Sequence, residues 1–159
     1  MGRIVRLTER DLTRLVRRVI SEQNSPLENE FKSYGDQKLI PLGFEGELTH
    51  NNVESNVYRF KLKEGTRSTY KEIEILVETL VEDGSMFLNT YIVTGTGRFS
   101  KDIRNVNINK IKTAVDEVIY LNNLINSAVK ISDVDRRLLK LNEINKTIIG
   151  KGFEDANIN

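Results

Sequence analysis

The clearest order in the chain is a helical spacing of apolar residues near its start. Leu12, Leu15, Val16, Val19 and Ile20 recur at i, i+3, i+4, i+7 and i+8, which at 100° per residue gathers them into one stripe. Arg10, Arg14 and Arg17 fall on the opposite side, with Arg18 at its edge. Thr8 is a good N-cap, because its hydroxyl can accept from a first-turn N–H that has no helical partner. Asp11 stands three residues on, as in a capping box, and Leu7 and Leu12 have the spacing of a hydrophobic staple. Ser25-Pro26 stops the pattern, since the residue before a proline disfavours helical backbone. A basic amphipathic helix is expected from about Thr8 to Gln23.

Asn24–Asp36 reads as a linker: Asn, Ser and Pro, interspersed Glu, then Tyr34-Gly35-Asp36 as a turn. Pro41, Gly43 and Gly46 allow only a short or edge strand over Leu39–Leu48, and His50-Asn51-Asn52 reads as another turn. Beyond them the period becomes two. Val57–Lys63 places Tyr58, Phe60 and Leu62 on one face, Arg59 and Lys61 on the other. Gly65–Thr69 is a connection. Tyr70–Glu82 sets Ile73, Ile75, Val77 and Val81 against Glu72, Glu74, Glu78 and Glu82. Asp83-Gly84 signals a hairpin, Met86–Thr94 returns as a strand, and Gly95-Thr96-Gly97 ends it. Two-faced strands imply an antiparallel sheet, wet on one side and covered by helices on the other.

Helical spacing then resumes. Ile111, Val115, Val118, Leu121, Ile125 and Val129 form a stripe from about Asn109 to Lys130. Ser132-Asp133 is a fresh cap, and Val134, Leu138, Leu141, Ile144 and Ile148 continue to Gly150 and Gly152. The expected fold is α+β: an N-terminal amphipathic helix, a small antiparallel sheet of three to four strands, and two C-terminal helices packed on one face. Residues 1–23 are expected as a helical leader, 24–37 as a linker, 38–150 as a single domain and 151–159 as a flexible tail.

Composition narrows the classes. A chain of 159 residues is the size of one domain, and folding at that length buries about 70% of the unfolded surface. With 38% hydrophobic and 30% charged residues, a modest core lies under a well-solvated surface. The net charge of +1 favours no partner, but it is unevenly spread. Residues 1–23 carry six arginines against Glu9, Asp11 and Glu22, leaving the remainder slightly acidic. The absence of cysteine excludes disulfides, thiolate metal sites and cysteine nucleophiles, and fits a reducing compartment. No apolar run approaches the ~20 residues that span a bilayer, and Arg6, Arg10 and Arg14 interrupt any secretory h-region. An intracellular protein with no membrane association is expected.

Candidate chemistry is sparse. His50 is the single histidine and has no neighbouring pattern of metal ligands or of a triad. Thr94–Ser100 is glycine-rich, but lacks both the Gly-Lys-Ser/Thr ending of a phosphate loop and the three spaced glycines of a dinucleotide loop; a strand-end bulge is expected. Glu72, Glu74, Glu78 and Glu82 read as the solvated side of a sheet rather than a catalytic pair. No catalytic residue, metal or cofactor is expected, and the protein is read as not an enzyme. The arginine face of the first helix admits a phosphate-binding reading, with steep salt dependence. A membrane-surface helix is weakened by the lack of Trp and Phe. Docking would bury the apolar stripe on a partner, or the stripe packs on this protein's own sheet.

The run Arg3-Ile-Val-Arg-Leu-Thr-Glu-Arg-Asp-Leu-Thr-Arg-Leu-Val-Arg-Arg-Val-Ile-Ser-Glu-Gln23 resembles the opening of many proteins encoded by T-even-like tailed bacteriophages. That resemblance covers about 23 residues. It implies a helical targeting leader of the kind carried by proteins packed into the prohead, trimmed by a prohead protease after Leu or Ile, any residue, then Glu. Ile20-Ser21-Glu22 fits that consensus where the helix ends, so cleavage would fall between Glu22 and Gln23. Five other triplets fit: Leu7-Thr-Glu9, Leu62-Lys-Glu64, Leu76-Val-Glu78, Leu80-Val-Glu82 and Leu141-Asn-Glu143. Four of these lie in or at the ends of expected strands and helices, and the first begins the leader helix itself.

The expectation is therefore a non-enzymatic, phage-encoded head-associated or virion protein of the host cytoplasm and the particle. Leu12, Leu15, Val16, Val19 and Ile20 would form its docking helix, with other phage proteins as partners. The alternative is a nucleic-acid-binding accessory protein using Arg10, Arg14, Arg17 and Arg18.

Overall fold

The period-two alternation builds more sheet than it announces. The structure, a computed structural model, describes residues 8–14, 26–52 and 54–156. Among them one antiparallel sheet has six strands: β1 (Glu45–Asn52), β2 (Ser55–Glu64), β3 (Lys71–Leu80), β4 (Met86–Thr94), β5 (Gly97–Ile103) and β6 (Glu154–Asp155). They lie in chain order, each antiparallel to the next. The register sets Leu62 beside Ile73, Ile73 beside Ile92, and Ile92 beside Phe99, so same-parity residues make one apolar face.

Three helices cover that face: α1 (Pro26–Lys38), α2 (Ile108–Val129) and α3 (Val134–Gly150). The α+β class and the two C-terminal helices are as expected. Asn107 caps α2 by accepting from the Lys110 N–H at 2.8 Å, and Asp133 caps α3 by accepting from the Arg136 N–H at 2.9 Å. One continuous core joins Phe60, Ile73, Ile75, Val77, Leu88 and Ile92 of the sheet to Val118, Leu121 and Ile125 of α2 and Leu141 and Ile144 of α3.

The sheet has six strands among the described residues rather than three to four, and four further expectations need correction. Most of the supposed linker is α1. Pro26 opens it, a place where a missing N–H costs nothing, and Leu27, Phe31 and Tyr34 share one side. Phe31 is fully buried and sets its ring edge-on to Tyr58 and Phe60, with centroids 6.2 and 5.3 Å away. Gly35 is not a turn glycine. A Cβ there would lie 2.1 Å from Cε2 of Phe60, so the glycine lets the helix rest on that ring.

His50-Asn51-Asn52 continues β1 rather than turning; the register shifts between His50 and Asn52. Gly95-Thr96 is a two-residue turn between paired Thr94 and Gly97, leading into β5 rather than ending the sheet. The supposed tail is docked through residue 156. Phe153 is only 3% exposed, Glu154 and Asp155 pair with Ser100 and Phe99, and the Ala156 N–H donates to the Arg98 carbonyl at 2.9 Å. The core thus extends past both ends of the expected 38–150 span.

Candidate functional site

The expected helix start is present at Thr8. The Asp11 N–H donates to Thr8 Oγ1 at 3.0 Å and the Leu12 N–H to the Thr8 carbonyl at 2.9 Å, and residues 9–14 are helical. Of the docking stripe, Leu12 is 50% exposed. Leu15, Val16, Val19 and Ile20 lie outside the described residues, as do Arg17, Arg18 and the expected cleavage pair Glu22 and Gln23.

Glu9, Arg10, Thr13 and Arg14 form one wall of an open groove of about 500 Å³. Its other wall is Glu54, Val81 and Glu82, from the turns that join β1 to β2 and β3 to β4. The first helical turns therefore stand beside one end of the sheet. Three carboxylates and two guanidinium groups line this groove. A phosphate placed there would meet Glu9, Glu54 and Glu82 as well as Arg10 and Arg14, so the local field does not favour a polyanion.

The sheet face away from the helices carries Glu72 and Glu74 of the expected carboxylates, and both are paired. Arg59 lies 3.7 Å from Glu74, and Lys61 lies 3.4 Å from Glu72 and 3.7 Å from Glu74. Lys63 adds a looser approach to Glu72 at 3.9 Å. The cations of β2 thus interleave with the carboxylates of β3. Each of these two carboxylates thus faces a cation, and neither lies in the apolar setting a general acid needs. Glu78 shares this half-buried face and Glu82 sits in the following turn. The backbone of His50 belongs to β1, and its side chain lies outside the described residues.

The glycine-rich hairpin holds no phosphate cradle, because a strand follows it and no helix N-terminus is available. Its threonines are tied to α3: Thr94 Oγ1 donates to Asn145 Oδ1 at 3.0 Å, and Asn145 Nδ2 donates to Thr96 Oγ1 at 2.7 Å. Gly97 is needed because a Cβ would sit 2.8 Å from the Phe99 ring.

Sequence reasoning missed the most unusual polar group, Lys71. It is 1% exposed on the helix-covered side of β3. Its ammonium donates to Asn122 Oδ1 at 2.6 Å and to Asn126 Oδ1, and lies 3.3 Å from Glu64 Oε2. Burial pushes its pKa down, and Glu64 partly opposes that. Three donors meet three acceptors, so the group clamps β3 to α2 rather than offering a nucleophile. The signal was present: Lys71 has the parity of Ile73, Ile75 and Val77, and Asn122 and Asn126 stand one helical turn apart.

Lys101 does similar work at the other end. It lies 3.1 Å from Glu117 of α2 and donates at 2.8 Å to the Lys151 carbonyl just beyond α3. Among the described residues, no group of His, Cys, Asp or Glu could hold a metal ion, and no helix is long and apolar enough to cross a membrane. No family model, curated protein or solved structure matches the chain.

Proposed function

We propose that the chain is a non-enzymatic, phage-encoded head-associated or virion protein. Residues 1–22 act as its docking or targeting helix toward other phage proteins, in the host cytoplasm and then in the particle. One observation carries the reading. The core is assembled from Phe31 to Phe153 with Leu27 packed against it, while Leu12 of the leader is half exposed. The described leader residues are not part of that core, and half of Leu12 is left open to a partner.

The resemblance of residues 3–23 to phage prohead leaders supplies the class of partner. The position of Ile20-Ser21-Glu22 adds to it: a cut after Glu22 falls ahead of Pro26, where α1 begins, and would leave the packed body whole. Docking of a short amphipathic helix would seat Leu12, Leu15, Val16 and Val19 in an apolar groove of the partner.

Mass spectrometry of the protein from mature particles and from infected cells tests this. A new N-terminus at Gln23 in the particles is the expected result. Only full-length chain in mature particles, or no copies there at all, would count decisively against it.

A further inference from the structure

We propose that the outer edge of β1 pairs with the same edge of a second copy of this chain, antiparallel about a two-fold axis through Leu48. The inference is independent of the phage reading, because it concerns the purified chain alone.

The two edges of the sheet are treated differently. At one, β6 covers Phe99 and Ser100, and Ala156 continues the cover to Arg98. At the other, β1 has β2 on one side, and among the described residues no strand pairs with its outer side. Unpaired edges are templates for association, and proteins that avoid it place Pro, charged side chains (Lys above all) or β-bulges on them. Over Glu45–Asn52, β1 has no proline or lysine. Its two carboxylates, Glu45 and Glu47, stand opposite Lys61 and Arg59 on the face away from the helices. Leu48 stands opposite Tyr58 on the helix side, yet it is 49% exposed. The edge therefore offers a backbone ladder with a half-exposed leucine in its middle.

Symmetry and charge select the register. A closed pair of identical strands is isologous, and keeping both sets of helices on one side requires same-parity residues to face each other. An axis at residue 46 would set Glu45 against the second copy's Glu47. An axis at residue 47 would set Glu47 against itself. An axis at residue 49 would leave Leu48 facing residue 50. The axis at Leu48 sets Leu48 against Leu48, Glu47 against Thr49 and Gly46 against residue 50, with no carboxylates opposed. Those five positions, 46–50, lie within the stretch where β1 pairs regularly with β2, before the shift that begins at His50.

The test is sedimentation equilibrium of the full chain over a wide concentration range, for wild type, Leu48→Lys, Leu48→Glu and an equimolar mixture of the two variants. Across the axis each single variant brings two like charges to directly opposed positions, where Cβ atoms sit ~5 Å apart. The wild type is expected to dimerise, and each variant alone to bind at least about tenfold more weakly, a loss of ~1.4 kcal/mol. The mixture should recover a heterodimer. Leu48 is half exposed, so circular dichroism should show both variants folded, and slowed amide exchange at 46–49 in the wild-type dimer gives a second readout. A wild type that stays monomeric throughout overturns the proposal. So does a variant that dimerises like wild type, or a mixture no tighter than its components.

Discussion

Residues 9–14 and α1 are near neighbours in the chain, both helical, and they bury very different amounts. The first segment begins an apolar stripe of five residues, yet Leu12 is half exposed. The second has one strongly apolar side chain in its middle, broken by Gly35, and Phe31 lies at zero exposure in a three-ring cluster with Tyr58 and Phe60. An apolar stripe states that a helix face can be buried, and says nothing about which surface buries it. Conversely, a mostly polar segment becomes a core helix when one large ring and one missing side chain meet the right partner. The lesson concerns complementarity across the contact rather than the strength of the local pattern.

Substitutions at four positions can break or sharpen that contrast. The largest effect is expected at Phe31→Ala, which removes a fully buried ring and should lower unfolding free energy by about 3–5 kcal/mol, read from the urea midpoint. Next is Gly35→Ala. In an exposed helix this change stabilises by up to ~1 kcal/mol. Here the added methyl must displace the Phe60 ring, so a loss of about 1–3 kcal/mol is expected; a gain would show that α1 does not rest on Phe60.

Tyr34→Phe comes third. The Tyr34 hydroxyl donates to Asp116 Oδ1 at 2.7 Å, linking α1 to α2, and its removal should cost about 0.5–1 kcal/mol. That hydrogen bond, then burial, then the Asp116 charge raise the Tyr34 pKa above its ordinary 10.0. A raised folded value means the contribution is fully present below the unfolded pKa and is lost as pH climbs through the folded one. Paired urea titrations should therefore show a constant wild-type advantage over Tyr34→Phe up to about pH 10, shrinking only beyond it. Smallest is Leu12→Ala, expected to change stability by less than ~0.5 kcal/mol. A cost comparable to that of Phe31→Ala would mean that the leader belongs to the body, and the docking reading would fall with it.

Much of the sheet was legible because β2 and β3 alternate strictly and β4 follows a clear turn. β5 was not. Its sequence GRFSKDI has only Phe99 and Ile103 at the inward positions, and Lys101 fills the third because Glu117 and the Lys151 carbonyl receive its ammonium. β6 has two residues, both charged, and exists because β5 offers it an edge and Phe153 anchors it. The helix N-caps at Thr8 and Asp133 depend on three or four consecutive residues, so they could be read locally, whereas the cap at Asn107 was missed and the helix expected only from about Asn109.

The candidate surfaces divide in the same way. The arginine face, the apolar stripe and the Ile20-Ser21-Glu22 triplet were readable as patterns. The carboxylates opposite Arg10 and Arg14 were not, since Glu54 and Glu82 arrive from turns far along the chain.

The sequence by itself settled what repeats with a short period: the strands that alternate, the long helices that follow a stripe, and the caps that open them. Tertiary structure alone decided that Pro26–Lys38 is a core helix, that Lys71 is buried with its three acceptors, and that one sheet edge is closed by β6 while among the described residues no strand pairs with the other. Each of those outcomes depends on shape and charge matched between residues distant in the chain, and periodicity carries no record of which distant residue will be the partner.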